Sequence, residues 1–147
     1  MKGQGNPLEI LIVEDSPSDV FLVKEALKQT GETCRVHVVS DGVEAMEFLR
    51  KQGSHGHAPR PDLILLDLNM PRKDGREVLL EIKTDERLRC IPIVVLTSSS
   101  AEQDISKAYN LHANCYITKP ADFARFKAVI NSVQAFWFRD VTLPPHD

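Results

Sequence analysis

Apolar residues along this chain follow two alternating rhythms. Compact runs at Leu8–Val13 (LEILIV), Leu63–Leu66 (LILL) and Ile91–Leu96 (IPIVVL) have the length and the β-branched and leucine character of strands buried on both faces. Arg35–Val39 and Cys115–Thr118 are shorter and more mixed, and read as two further strands. Between the runs the spacing changes to three and four. Val20, Val23 and Leu27 mark one helix; Ala45, Met46 and Leu49 a second; Val78, Leu79 and Ile82 a third. Phe126, Ile130, Val133 and Trp137 form one stripe on a last helix.

Punctuation residues set the boundaries. Ser16-Pro17-Ser18-Asp19 supplies a Ser N-cap, a first-turn Pro and an acid three residues on, so a helix runs from there to about Gln29 and stops at Gly31. Asp41-Gly42 opens the second helix, Arg76–Thr84 is the third, Ala101–Leu111 the fourth and Phe123–Phe138 the fifth. Residues 1–7 are a polar lead, Gly53–Arg60 a flexible surface loop, and 139–147 a Pro-rich tail. Strand and helix alternate five times. That order predicts an α/β domain: a parallel sheet, helices on both faces and right-handed crossovers. No repeat, linker or second domain interrupts it, so residues 1–147 read as one domain with its core at about 8–138.

Composition narrows the function. The 147 residues are 42% hydrophobic and 27% charged, enough for one sizeable core. A net charge of -3 gives no footprint for nucleic acid. No apolar run approaches the roughly 20 residues of a membrane span, and the amino-terminal segment has no signal-peptide core. The expectation is a soluble cytoplasmic protein. Cys34, Cys90 and Cys115 are odd in number and widely spaced, so they are expected as small buried hydrophobes rather than a disulfide or metal site. His55 and His57 are expected as solvated loop residues, and His37 and His112 as structural or solvent-facing.

The candidate chemistry lies where strands stop. The first ends in Glu14-Asp15, the third in Asp67, the fourth in Thr97 and the fifth in Lys119. Parallel strands bring these ends to one edge of the sheet, the edge at which open α/β sheets bind ligands. Clustered carboxylates need a cation. An all-oxygen set suits Mg²⁺, which takes one or two carboxylates and keeps several waters. Glu14, Asp15 and Asp67 offer side-chain oxygens, and Asn69 a backbone carbonyl. The metal and the Lys119 ammonium would neutralise a transferring phosphoryl group, the Thr97 hydroxyl would donate to it, and Asp67 would accept it as the nucleophile. Two other readings compete. An Asp-nucleophile phosphatase or phosphotransferase would want a second acid two residues after Asp67, where Asn69 stands. A phosphate-independent interaction module would have no use for the intact acid, hydroxyl and amine set. Singly, Asp67 or Glu14-Asp15 could be helix-capping acids, but Ser16 already takes the first cap.

In this order and spacing, Glu14-Asp15, Asp67, Thr97 and Lys119-Pro120 resemble a response-regulator receiver domain of two-component signalling, from Leu8 to about Phe138. The resemblance implies a flavodoxin-like fold with strand order 2-1-3-4-5. It implies phosphoryl transfer to Asp67 from a phosphohistidine on a sensor kinase, a Mg²⁺ requirement and a cis Lys119-Pro120 bond. It also implies a switch in which Thr97 moves toward the phosphoryl group and Tyr116 repacks, with Asn69 and Ser99 setting the phosphate's lifetime. The acid pair is Glu-Asp where many members have Asp-Asp. The segments PDLILLDLNMPRKDGREVL, YNLHANCYITKP and FWFRDVTLP are similar to stand-alone receivers partnered with cyanobacterial phytochrome histidine kinases, which are often dimeric through the last helix. Phe136, Trp137 and Phe138 are adjacent and point about 100° apart on a helix, so they cannot all face one core. They are expected to form an interface, a homodimer being one form of it; the alternative is that the tail covers them.

Overall fold

A computed structural model describes residues 7–28 and 34–145. The expected polar lead, the end of the first helix near Gln29 and Gly31, and the last two tail residues lie outside them, apart from Pro7. The order is β1 (Leu8–Val13), α1 (Pro17–Lys28), β2 (Cys34–Val39), α2 (Gly42–Arg50), β3 (Leu63–Leu66), α3 (Gly75–Thr84), β4 (Ile93–Thr97), α4 (Glu102–Asn110), β5 (Cys115–Thr118) and α5 (Phe123–Ala135). All strand pairs are parallel and the sheet order is β2-β1-β3-β4-β5, the flavodoxin-like arrangement expected. No described helix is long and apolar enough to cross a membrane.

Alternation along the strands divides the core between the two faces. Leu11, Val13, Ile64, Leu66, Ile93 and Val95 pack with α2 and α3 residues such as Phe48, Val78 and Ile82. Ile10, Ile12, Leu63, Leu65, Val94 and Leu96 pack with Val23, Leu27, Phe126 and Ile130 of α1 and α5. Shielding on both sides is why β3 reads as an unbroken apolar run. Helix starts use side-chain caps: Asp41 accepts from Glu44 N–H, Asp74 from Arg76 and Glu77 N–H, and Asp122 from Ala124 N–H. Ser16 Oγ accepts from Asp19 N–H at 3.3 Å, the cap expected for α1.

Gly75 brings α3 against the end of β3. A Cβ there would sit 2.2 Å from the Asp67 carbonyl oxygen and 2.7 Å from Leu68 Cα, so only glycine lets the chain pass. Gly75→Ala is expected to destabilise the domain by about 2–3 kcal/mol through overpacking. Chemical denaturation checks the loss; an unchanged midpoint contradicts the close approach.

Several expectations need correction. The last helix does not continue regularly to Phe138. It stops at Ala135, and Phe136–Asp140 form a wider π turn closed by Val141 N–H to Phe136 O at 2.9 Å. Trp137 and Phe138 pack on the α1–α5 side of the core, and Phe136 is left 52% exposed. The tail reaches the amino ends of the central strands, where Pro144 and Pro145 lie beside Pro61 and Pro92. The fourth strand begins at Ile93 rather than Ile91, because Ile91 N–H closes a turn onto Leu88 O. Cys90 is exposed rather than buried: Leu88 is the residue that anchors this turn. Cys34 and Cys115 are half-buried. Gly53–Arg60 is not a free loop. It contains a 3-10 turn (Gly53–His55), and His55 lies 5.4 Å from the Phe48 ring and 3.4 Å from Glu44. His37 is structural, 2.8 Å from the Glu9 carboxylate. Lys119-Pro120 is trans, since the described residues contain no cis peptide.

Candidate functional site

The register of the sheet assembles the site. Beyond the ends of β1, β3 and β5, the next residue is still tied to a neighbouring strand. Glu14 N–H donates to Val39 O at 3.0 Å, Asp67 N–H to Val13 O at 3.0 Å, and Lys119 N–H to Thr97 O at 2.7 Å. The side chains therefore leave the sheet together at one rim, although they are up to 105 residues apart in sequence. After Asp67 the chain turns at once, and Gly75 N–H donates back to Leu68 O at 2.9 Å.

Lys119 is the hub. Its ammonium donates to Asp67 Oδ2 at 3.2 Å, to Asp19 Oδ2 at 2.7 Å and to Glu14 Oε1. Glu14 and Asp67 are buried, Asp15 is exposed, and the Lys119 side chain is 9% exposed. Burial pushes Glu14 from 4.5 up to about 7, against the pull of Lys119 and with the Asp67 charge adding to the rise. Asp67 goes the other way. Burial would raise it, but the Lys119 charge, the Glu14 carboxyl and hydrogen bonding hold it below the ordinary carboxylate value. Burial would lower Lys119, yet its bonds to Asp19 and Glu14 and the charge of Asp67 hold it above the usual lysine range. Two neighbouring carboxyls pushed in opposite directions mark a site organised for charge.

Oxygens of Glu14, Asp15 and Asp67 lie within 4.8 Å of one another. Among the described residues this is the one such cluster of three or more ligating side chains. The all-oxygen donor set fits a hard divalent cation. Glu14 must lose its proton to ligate, so apparent affinity for a divalent cation is expected to fall about tenfold per pH unit below about 7. Calorimetric titrations on both sides of neutrality check this; a flat profile contradicts it.

The Thr97 hydroxyl is fully buried and has no hydrogen-bond partner of sound geometry, although it lies near enough to favour the Asp67 carboxylate. Asn69 is exposed, and its N–H donates to Asp67 Oδ1 at 3.2 Å. Tyr116 is half-buried, with its hydroxyl donating to Ser99 O at 2.8 Å. Phe136, Trp137 and Phe138 belong to a different part of the surface. Phe136 and Trp137, with Cys115 and Ile117, line a groove of about 610 Å³ between β5 and α5. Two contributors escaped sequence reasoning. Asp19, read there only as a helix-start acid, is a Lys119 partner. Asp104 of α4 pairs with Arg76 of α3 at 2.6 Å. The placement of Asp19 one turn into the first helix was the available signal.

The response regulator receiver domain profile matches residues 10–131. Response regulator Rcp1 of Synechocystis sp. is 47% identical over 145 residues, covering 98% of this chain and 99% of that one. Among solved structures, the phosphorylated cyanobacterial phytochrome response regulator RcpA superposes with a TM-score of 0.92 at 48% identity, over 95% of this chain and 100% of that one. The Mn²⁺-bound form of Rcp1 gives 0.91 at 47% identity, with the same coverage. With the rim geometry, these similarities lead to one assignment: the chain belongs to the response regulator receiver domain family.

Proposed function

We propose that Asp67 is the phosphoacceptor of this receiver, that Glu14, Asp15, Asp67 and the Asn69 carbonyl hold Mg²⁺, and that Lys119 and Thr97 bind the phosphoryl oxygens. The observation that carries this is the Asp67 carboxylate itself: at the end of β3, with a buried lysine on one oxygen and two more acids beside it. An Asp67 oxygen attacks phosphorus, the bond from phosphorus to the donor histidine nitrogen breaks, and that nitrogen keeps the electron pair. Mg²⁺, when bound, supplies charge neutralisation for the phosphoryl oxygens. Lys119 already touches Asp67 and supplies a fixed positive charge. Thr97 supplies a buried donor that a phosphoryl oxygen would satisfy. The chain thus catalyses its own phosphorylation and dephosphorylation and turns over no other substrate.

The donor we infer is a phytochrome-type sensor histidine kinase, because relatives at 47–48% identity over nearly the whole chain include a protein described as a phytochrome response regulator. We read residues 1–147 as one cytoplasmic receiver unit, core 8–138 and tail 139–147. Its output is altered partner binding or self-association through the surface bearing Phe136, Trp137 and Phe138, with Tyr116 as the moving aromatic. Beryllofluoride, a phosphoryl mimic, tests the reading. With Mg²⁺ it is expected to raise the thermal midpoint, and neither component alone should reproduce the rise. A midpoint indifferent to the combination contradicts it.

A further inference from the structure

A second polar chain runs from α3 through α4 to β5. Arg76 donates from Nη2 and Nε to Asp104 Oδ1 at 2.6 and 3.2 Å. The other Asp104 oxygen accepts from Ser99 Oγ at 2.6 Å. The Ser99 carbonyl in turn accepts from the Tyr116 hydroxyl at 2.8 Å. All four residues are half-buried. The Ser99 hydroxyl and the Arg76 guanidinium hold the Asp104 carboxyl below its ordinary value.

Besides this chain, α4 is tied to β5 by Tyr116 N–H, which donates to Tyr109 Oη at 3.1 Å. Helix α4 buries a single residue, Ala108, and has no side-chain cap at its start. Residues 98–101 have no regular structure. Their side-chain ties are the Asp104–Ser99 bond, Ala101 N–H to Ser99 Oγ at 3.3 Å, and Tyr116, beside the Ala101 carbonyl that accepts from Asp104 and Ile105 N–H at 3.1 Å. A weakly packed helix opens at low free energy, so one ion pair has unusual leverage on it. Ser99 is also two residues beyond Thr97, whose buried hydroxyl faces the acidic rim without a partner.

We propose that the Arg76–Asp104 ion pair is a latch that holds α4 and the 98–101 segment in place, so that it sets both the inward position of Tyr116 and the survival of a phosphoryl group on Asp67. The second part rests on Asp67 being the acceptor. Arg76 and Asp104 are positioning residues; neither touches Asp67. With the latch closed, the Ser99 carbonyl anchors Tyr116 and the segment covers its side of the rim. With the latch broken, Tyr116 loses its acceptor and water reaches the phosphoryl group more often. Hydrolysis then adds the water oxygen to phosphorus, breaks the bond from phosphorus to the Asp67 oxygen, restores the carboxylate and releases phosphate with the water protons.

The chain has two tyrosines, which makes the position of Tyr116 directly readable. Full-length protein carrying 3-fluorotyrosine is followed by fluorine NMR, with Tyr116→Phe identifying the Tyr116 resonance by its loss. Asp104→Asn and Arg76→Gln are each expected to move that resonance toward its solvent-exposed value in unphosphorylated protein. After labelling with acetyl phosphate and Mg²⁺, each is expected to shorten the phosphoryl lifetime about fivefold. The double variant should match the single ones, because both remove one interaction. A Tyr116 resonance that stays put in folded variants, or effects that simply add, would overturn the latch. If wild-type protein takes no phosphoryl group, the reading of Asp67 fails, and the fluorine resonance still decides the position of Tyr116.

Discussion

Replacing Asp67 with Asn is expected to abolish phosphorylation by acetyl phosphate or a cognate kinase and to leave a folded protein. The amide is no nucleophile for phosphorus, and no other carboxylate occupies its place. Asp15 is exposed, and Glu14 and Asp19 belong to the β1–α1 side of the rim, each already bonded to the Lys119 ammonium. The fold survives because Asn is nearly isosteric and Lys119 keeps Glu14 and Asp19 as partners. Metal affinity falls as well, since one of three clustered carboxylates is lost. Phosphate incorporation and a denaturation curve check the two halves. Wild-type labelling of the Asn variant contradicts the first, and an unfolded variant contradicts the second.

Replacing Lys119 with Met has the largest expected effect on stability. The substitution keeps the aliphatic stem and removes the charge, leaving Glu14, Asp67 and Asp19 facing one another. Breaking a buried ion cluster from one side costs about 3 kcal/mol, a fall of about 10 °C in thermal midpoint for a domain of this size. The pH dependence has a definite sign. Glu14 is raised from 4.5 to about 7 in the fold, so the folded state holds a proton there that the unfolded chain has released. Its contribution to metal-free stability therefore falls as pH rises through that window. Lys119 lowers Glu14, so its removal raises that group further. The Met variant should accordingly be most impaired in mildly alkaline, metal-free solution and recover part of the loss below neutrality as Glu14 takes up its proton. A divalent cation should restore stability by replacing the missing positive charge. Thermal melts with and without metal at two pH values check this; a loss independent of both contradicts the electrostatic account.

The rim was legible in the sequence because each strand announces its own end. Leu63–Leu66 is uniformly apolar and stops at one acid followed by Asn69, Pro71 and Gly75. Parallel topology then places Asp67 beside Glu14 and Lys119 without further information. Asp19 was not legible in that way. Its contact with Lys119 depends on how α1 is rotated about its own axis, and the partner lies 100 residues away. The Arg76–Asp104 pair joins two helices whose facing sides the apolar pattern does not specify, because α4 buries almost nothing. The π turn at Phe136 was hidden by Trp137, which extends the apolar stripe four residues beyond Val133 as though the helix were regular. Cys90 was misplaced because its residue type favours burial while its turn is anchored by Leu88.

Locating the phosphoryl group after reaction with acetyl phosphate and Mg²⁺ tests the central claim most directly. Borohydride reduces an aspartyl phosphate to homoserine, and peptide mass spectrometry then reports its position. We expect homoserine at position 67 alone, and none when a chelator removes the metal. Homoserine at position 15 or 19, or labelling that persists without metal, would contradict the account.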